Sequence, residues 1–282
     1  MNILVIGDLH LRATSPCSRV DNILETFWFK AQQIVDIAKS KDVHAVIFLG
    51  DVFDSPSPSL SVVWEFLNFV DLLRVPVYTI VGNHDVYGYN LETLRRCQLG
   101  QLSRLGAITL ITSPTEVCGR VFGVFPDRSP CDVLLVHDFL LPFEFFGKAT
   151  LIDTFEPPPG CKLVLVGHYH HGFPPLTRGG VVYFGPGALL RLDRSERERD
   201  VGVTLLNCET LDFEFIRLQK PENVFLEVVE EKAAEEIVSR MLDLKVEDLN
   251  VHDIIFALAS QNSVPKEVVE RLLHYMEVEN VH

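Results

Sequence analysis

The residues of this chain that could do chemistry stand at the ends of short apolar runs. The run from Ala45 to Leu49 leads through Gly50 to Asp51, and it predicts a strand that is buried on both faces. A carboxylate at the end of a buried strand is costly unless a cation compensates its charge. We therefore predict that Asp51 bridges two metal ions and that other strand ends supply the remaining ligands.

Further polar residues occupy equivalent positions after other apolar runs. They are Asp8, His10, Asn83, His84, His137, His168 and His170. A parallel sheet would bring such strand ends together at one edge. Carboxylates, an amide and imidazoles form a mixed oxygen and nitrogen set, which suits Mn, Fe or Zn better than Ca or Mg. Taken alone, each histidine could be a structural hydrogen-bonding residue and Asp51 a turn or cap carboxylate, so the metal interpretation depends on the whole set.

The elements that must position these residues follow from hydrophobic periodicity. We predict strands over Asn2–Gly7 and Pro76–Val81 around the Ala45 strand, with helices over Asp21–Lys39 and Ser59–Leu73. This alternation indicates right-handed βαβ units with a parallel sheet core. After about Gly106 the runs become short and strand-like, which predicts an α/β fold in which a two-sheet β-sandwich is flanked by helices.

Length and composition bound the domain organisation. The 282 residues are 47% hydrophobic, enough for one large core with a small appendage. We predict a catalytic domain over residues 1–220, and over 221–282 a strand or linker followed by three short helices that pack on the main domain or bind a partner. The start lacks the basic region of a signal peptide, and no apolar run approaches the roughly 18 residues of a membrane span. Six scattered cysteines suggest reduced thiols and a cytoplasmic protein that does not associate with membranes.

The net charge of −14 is not that of a simple nucleic-acid binder. Residues 221–282 hold 14 acidic and 5 basic residues, a balance of −9, which leaves −5 for residues 1–220. Two divalent ions would bring that part to about −1. The acidity therefore lies mainly in the tail and does not exclude a polyanionic substrate.

The motifs together resemble those of the calcineurin-like metallophosphoesterases. The strings that carry the resemblance are Gly7-Asp8-Leu9-His10, Gly50-Asp51-Val52-Phe53-Asp54, Gly82-Asn83-His84-Asp85, Val136-His137 and Gly167-His168-Tyr169-His170. Any one of these strings is weak, whereas all five in order, over roughly residues 1–190, form a specific signal.

The resemblance implies a site with two divalent metal ions. One would be held by Asp8, His10, Asp51 and His170, and the other by Asp51, Asn83, His137 and His168. It also implies that His84 contacts the scissile phosphate as a catalytic residue and that Asp85 orients it. Mn is the expected metal, with Fe and Zn as alternatives.

Two details favour a nuclease. Phe53 and Asp54 follow the bridging Asp51, and a strand with a Gly-Pro-Gly turn follows the histidine pair, which is similar to SbcD-type DNA-repair exonuclease subunits. That similarity implies DNA as substrate and a coiled-coil ATPase of the SbcC type as partner. A homodimer is a further possibility. The alternatives are a small-molecule phosphoesterase acting on nucleotides or metabolites, which the acidic balance favours, and a scaffold that has lost its metals.

Three other stretches invite interpretation. Arg12 is a candidate for binding the substrate phosphate. The alternating charges from Arg191 to Asp200 are typical of a solvated loop, although they could also contact backbone phosphates. The run from Phe139 to Phe146 is too apolar for an ordinary loop, so it is either buried or an exposed patch for a partner.

Overall fold

A computed structural model describes residues 1–145 and 147–226 of the chain. The strands of this part are β1 (Asn2–Ile6), β2 (Val43–Phe48), β3 (Val77–Thr79), β4 (Thr109–Leu110), β5 (Thr115–Val117), β6 (Arg120–Val124), β7 (Val133–His137), β8 (Leu140–Leu141), β9 (Thr150–Leu151), β10 (Leu163–Gly167), β11 (Phe173–Arg178), β12 (Val181–Gly185), β13 (Gly202–Asn207) and β14 (Phe213–Arg217). The α-helices are α1 (Ile23–Ser40), α2 (Leu60–Leu73) and α3 (Gln98–Arg104). Short 3-10 helices span Asn83–Asp85, Tyr87–Tyr89, Leu91–Arg96, Ile152–Thr154 and Arg194–Glu196.

Two six-stranded sheets dominate the described residues, as the sequence predicts. The first has the order β14-β13-β1-β2-β3-β4, in which β1 to β4 are parallel neighbours. The second has the order β11-β12-β10-β7-β6-β5, with a parallel centre and antiparallel outer strands. The predicted α/β fold, a two-sheet sandwich flanked by helices, is confirmed.

Strand β1 shows why the runs are continuously apolar. Ile3 and Val5 pack against residues of the second sheet, whereas Leu4 and Ile6 pack against α1 and α2. Successive side chains of a strand point to opposite faces, and here both faces are covered. The strand ends at Ile6, and Asp8 is the first polar side chain after this apolar run.

Helix α1 begins where the sequence indicates. The side chain of Asn22 accepts a hydrogen bond from the Leu24 amide at 3.0 Å, which caps the helix. Phe27, Ala31 and Ile34 form its buried face on the first sheet. Two polar side chains, Thr26 and Lys30, are buried among them, and Lys30 is fully inaccessible to solvent.

Strand β11 does not follow from the sequence pattern. It contains Pro174 and Pro175 and is mostly exposed, yet it pairs antiparallel with β12 at the edge of the second sheet. Proline cannot donate to a ladder, so it is tolerated only where one side of the strand is free, as at a sheet edge.

The residues after Lys220 are described as far as Leu226. The Val20 amide donates to the Val224 carbonyl at 2.9 Å, and Phe225 is buried. The predicted domain boundary at residue 220 stays a prediction, and the three predicted helices beyond it lie outside the described residues. Among the described helices, none has the length and apolar character that crossing a membrane requires.

Candidate metal centre

The polar residues predicted from the strand ends meet at one edge of the sandwich. The first sheet supplies residues that follow β1, β2 and β3, and the second sheet supplies residues at the ends of β7 and β10. Hydrogen bonds join the two sheets there, because the His168 amide donates to the Asp8 carboxylate at 2.9 Å. The site thus depends on the packing of both sheets.

The first cluster consists of Asp8, His10 and His170, whose ligand atoms lie within 4.8 Å of one another. His10 Nε2 lies 2.9 Å from His170 Nε2. Asp8 Oδ2 lies 3.8 Å from the same nitrogen of His170.

The second cluster consists of Asp51, His137 and His168, again within 4.8 Å, with Asn83 beside them. His137 Nε2 lies 3.0 Å from Asn83 Oδ1 and 3.2 Å from Asp51 Oδ2. The two clusters meet at Asp51, since its Oδ2 is also 3.4 Å from His10 Nε2. One carboxylate oxygen therefore faces both clusters.

The hydrogen bonds of the imidazoles test whether this arrangement fits cations. His137 Nδ1 bonds to the Leu49 carbonyl at 2.6 Å, and His170 Nδ1 lies 3.0 Å from Glu196 Oε1. These partners are acceptors, so each Nδ1 carries the proton and each neutral ring turns an Nε2 lone pair inward. Within the described residues these lone pairs face carboxylate and amide oxygens or another imidazole nitrogen, an arrangement that repels itself unless a second proton or a metal cation lies between them.

The pKa shifts of His137 and Asp51 also indicate a site for cations. Burial alone would lower the pKa of His137, but the charges of Asp8 and Asp51 together with hydrogen bonds raise it to about 10. Burial would raise the pKa of Asp51, but the hydrogen bond and charge of His137, with the charge of His10, hold it well below its usual range. Without a metal, the buried carboxylates thus draw positive charge from the histidines. The residues present fit divalent cations.

Three of the predicted ligands have left-handed backbone conformations. The φ angles are 47° at His10, 45° at Asp51 and 74° at His168. Such conformations cost non-glycine residues about 1–3 kcal/mol each and are concentrated at functional sites. They turn the chain sharply at the strand ends, and no sequence pattern indicated them.

Glycines in the motifs allow the close approach of neighbouring loops. A Cβ on Gly82 would overlap the Asp51 side chain, and one on Gly167 would lie 2.8 Å from Asp8 Oδ1 and 2.6 Å from the Leu49 carbonyl oxygen. The motif glycines therefore leave room for the carboxylates.

His84 and Asp85 follow Asn83 but play different parts. The His84 ring is exposed, its Nδ1 bonds to the Asp54 carbonyl at 3.0 Å, and its amide donates to Asp51 Oδ1 at 2.8 Å. Among the hydrogen bonds of the described residues, none joins Asp85 to that ring, and its predicted role in orienting His84 stays a prediction. Its buried carboxylate accepts from the Gly82 amide at 2.9 Å and the Phe53 amide at 3.4 Å, so it holds the two loops together. Burial and the nearby Asp51 charge raise the pKa of Asp85 to about 7.

Arg12 lies beside the first cluster. Its Nη1 is 3.1 Å from Asp54 Oδ2, and both side chains are partly exposed. Asp54 Oδ1 in turn lies 3.6 Å from His10 Nδ1. The Arg12 guanidinium is therefore already paired with a carboxylate.

The charged run from Arg191 to Asp200 is not simply a solvated loop. Arg191 and Glu196 are only 3% exposed, and the Arg199 side chain is 6% exposed. Sequence reasoning missed Glu196 as the partner of His170. The only available signal was that this run directly follows the buried Ala188-Leu189-Leu190.

Part of the apolar run after His137 packs against the site. The ring centroids of Phe139 and His168 are 4.2 Å apart, and Phe145 contacts both Phe139 and Tyr169. Leu140 and Leu141 are buried, whereas Phe143 is 41% exposed. Phe139 and Phe145 are partly buried and Pro142 to Glu144 are exposed, so the predicted burial holds for only part of the described run, which excludes Phe146.

Comparison of the sequence with known proteins identifies its family. A family profile described as calcineurin-like phosphoesterase matches residues 1–202. The DNA double-strand break repair protein Mre11 of Sulfolobus acidocaldarius is 24% identical over 296 residues, which cover 94% of this chain and 76% of that protein. The Mre11 protein of Methanosarcina acetivorans is 28% identical over 192 residues, which cover 60% of this chain but only 30% of that protein.

A solved archaeal phosphodiesterase is 16% identical, with a TM-score of 0.44 and coverage of 77% of this chain and 100% of that one. The family match spans most of the chain and includes all the residues of both clusters. Its members are metal-dependent phosphoesterases that use a dinuclear divalent-metal site. The chain belongs to the calcineurin-like phosphoesterase family.

Proposed function

We propose that this protein is a nuclease of the SbcD type, which hydrolyses phosphodiester bonds of DNA with two divalent ions. Asp8, His10, Asp51 and His170 would hold the first ion, and Asp51, Asn83, His137 and His168 the second. The observation that carries the proposal is the pair of clusters sharing one Asp51 oxygen, at 3.4 Å from His10 Nε2 and 3.2 Å from His137 Nε2. The mixed nitrogen and oxygen donors favour Mn, with Fe or Zn as alternatives.

The residues of the chain have distinct parts in this reaction. When bound, two divalent ions supply Lewis acidity toward phosphate oxygens and make water more acidic. Asp51 and Asp8 compensate the ions, and Nδ1 hydrogen bonds keep the Nε2 atoms of His137 and His170 available. His84, exposed beside Asp51, would contact the scissile phosphate and stabilise its charge or protonate the leaving oxygen. Arg12 would bind a phosphate oxygen.

The substrate proposal draws on the relatives. Both reported curated relatives are named as DNA double-strand break repair proteins, and the chain spans 76% of one and 30% of the other. By the same similarity we propose an SbcC-type coiled-coil ATPase as partner and action in the cytoplasm. Homodimerisation is part of the same proposal.

A small-molecule phosphoesterase is the second candidate. It is favoured by the net charge of −14 and by the pairing of Arg12 with Asp54, which leaves that guanidinium compensated. A metal-free scaffold has little support, because such a protein would have no reason to keep two clusters of carboxylates and imidazoles.

The test compares substrates in one preparation. The Mn-loaded protein would be offered labelled linear duplex DNA, single-stranded DNA and bis-p-nitrophenyl phosphate. We expect DNA degradation that Asp51→Asn abolishes and that Asp71→Asn, on the exposed face of α2, leaves unchanged. Cleavage of the small ester without DNA degradation, even with an ATPase partner added, would favour the second candidate. Inertness toward all three substrates would contradict both.

A further inference from the structure

Glu196 is a buried carboxylate with hydrogen-bond partners on both of its oxygens. It ends the 3-10 helix Arg194–Glu196 and is 3% exposed. Its Oε1 lies 3.0 Å from His170 Nδ1, and its Oε2 accepts from the Leu192 amide and from Arg199 Nη2, each at 3.2 Å. Burying a carboxylate is costly unless it is paired and hydrogen-bonded, and here both oxygens are.

The bond to His170 determines which ring nitrogen is available to a metal. A carboxylate accepts a proton from Nδ1, so the lone pair of the neutral ring lies on Nε2. That nitrogen is the one 2.9 Å from His10 Nε2 and 3.8 Å from Asp8 Oδ2. Of the described imidazoles in the two clusters, His170 alone has a carboxylate within hydrogen-bond distance of its outer nitrogen.

Arg199 connects Glu196 to the segment Ala188–Arg191, which supports the first cluster. Its guanidinium donates to the carbonyls of Ala188 at 2.7 Å and Leu190 at 3.3 Å. The Ala188 amide in turn donates to the His170 carbonyl at 3.0 Å, and the Leu189 amide to the Asp8 carbonyl at 2.7 Å. The segment therefore holds the backbones of two predicted ligands while Arg199 and Glu196 hold a side chain of one.

Buried basic side chains hold this segment, Ala188 to Arg191, along its whole length. Lys30 Nζ donates to the Leu189 carbonyl at 2.6 Å, and Arg19 donates to the Arg191 carbonyl. With the two bonds from Arg199, each of the four carbonyls from Ala188 to Arg191 accepts a hydrogen bond from a buried basic side chain. Glu196 therefore follows a segment whose backbone carbonyls are all hydrogen-bonded to buried side chains.

We propose that Glu196, held by Arg199, is a positioning residue that sets the Nδ1-protonated form and the orientation of His170, and thereby the metal affinity of the first cluster. The second cluster would be independent of it, because His137 uses the Leu49 carbonyl for the same purpose. This inference rests on the proposed metal ligands. A purely structural role for Glu196, in which it only balances the buried guanidinium of Arg199, is the competing explanation.

The experiment titrates Mn²⁺ into the metal-free full-length protein by calorimetry, with electron paramagnetic resonance as an independent count of bound ions. Glu196→Gln should weaken one of two bound ions by about 10–100-fold, the range found for outer partners of metal-ligating histidines. The other ion should keep its affinity. Glu198→Gln, two residues along and exposed, is the matched control and should match the wild type.

Two further variants separate positioning from charge balance. Glu196→Asp keeps the negative charge near Arg199 but withdraws the carboxylate from His170, so it should fold normally and still weaken one ion. In a His170→Gln background, Glu196→Gln should have no additional effect on Mn²⁺ affinity, because the imidazole through which Glu196 acts is absent.

The outcomes distinguish this inference from the proposed function. If the wild type binds no Mn²⁺, both the proposed function and this inference are wrong. If the wild type binds two ions and Glu196→Gln and Glu196→Asp bind both as tightly, only the inference is overturned. A lower melting temperature of the metal-free Glu196→Gln protein with unchanged Mn²⁺ affinities would also overturn it, in favour of charge balance.

Discussion

The two clusters of the candidate centre are supported in different ways. In the first cluster, carboxylates lie near the outer ring nitrogens of the histidines. Glu196 Oε1 is 3.0 Å from His170 Nδ1, and Asp54 Oδ1 is 3.6 Å from His10 Nδ1. In the second, the backbone carbonyl of Leu49 accepts from His137, and an aromatic ring packs on His168. Support by side chains can be altered by one substitution, whereas support by backbone is changed only by moving the chain. The first cluster should therefore be the more easily tuned half of the centre.

The largest effect is expected where the two clusters meet. Asp51→Asn removes the charge that faces both His10 and His137, so we expect weak binding of both ions. The loss should exceed the 10–100-fold of an outer-partner substitution, and ester hydrolysis should fall with it. Calorimetric titration with Mn²⁺ measures this. Retention of one tight ion would show that Asp51 belongs to a single cluster and would contradict the shared carboxylate.

The next effect concerns the backbone of the second cluster. Gly82→Ala would place a Cβ against the Asp51 side chain, and overpacking of this kind costs about 1–3 kcal/mol. We expect a lower unfolding free energy in urea and loss of the second ion. Gly88→Ala is the control for Cβ contacts, since its Cβ would enter open space. Any cost of that variant comes from the positive φ of 56° at Gly88, which Gly82, with φ −96°, does not share. Equal metal binding by the two variants would show that the close approach at Gly82 is unimportant.

A smaller effect is expected from the aromatic support of His168. Phe139→Leu removes a ring whose centroid lies 4.2 Å from that of His168, and such pairs contribute about 0.5–1.5 kcal/mol. Mn²⁺ affinity should fall by about 2–10-fold for the second ion alone. If the weakened ion proves to be the one that Glu196→Gln also weakens, the division of the centre into two differently supported clusters is wrong.

The smallest effect is expected at Asp54. Its carboxylate is partly exposed and lies 3.6 Å from His10 Nδ1, beyond hydrogen-bond distance, and partly exposed ion pairs contribute about 0.2–1 kcal/mol. Asp54→Asn should therefore lower the affinity for the first ion by at most about fivefold, well below the effect of Glu196→Gln. A larger change would show that Asp54 supports His10 as strongly as Glu196 supports His170.

Much of the frame could be predicted from the chain alone. Periodicity indicated α1, α2 and the central strands to within a few residues, because strands buried on both faces and amphipathic helices leave strong patterns. The pattern failed at β11, where two prolines masked an edge strand. It also misjudged the run after Arg191, because alternating charges look the same whether they are solvated or buried in pairs.

By itself, the sequence determined which side chains come to the site. A polar residue after a buried apolar run has no position other than the sheet edge, so Asp8, Asp51 and His137 were identifiable without coordinates. The tertiary structure decided their arrangement, since the left-handed turns at His10, Asp51 and His168 and the pairing of Glu196 with His170 depend on contacts between segments far apart in the chain. Periodicity records which face of an element is apolar, whereas a hydrogen bond across 26 residues arises only when the fold brings its two ends together.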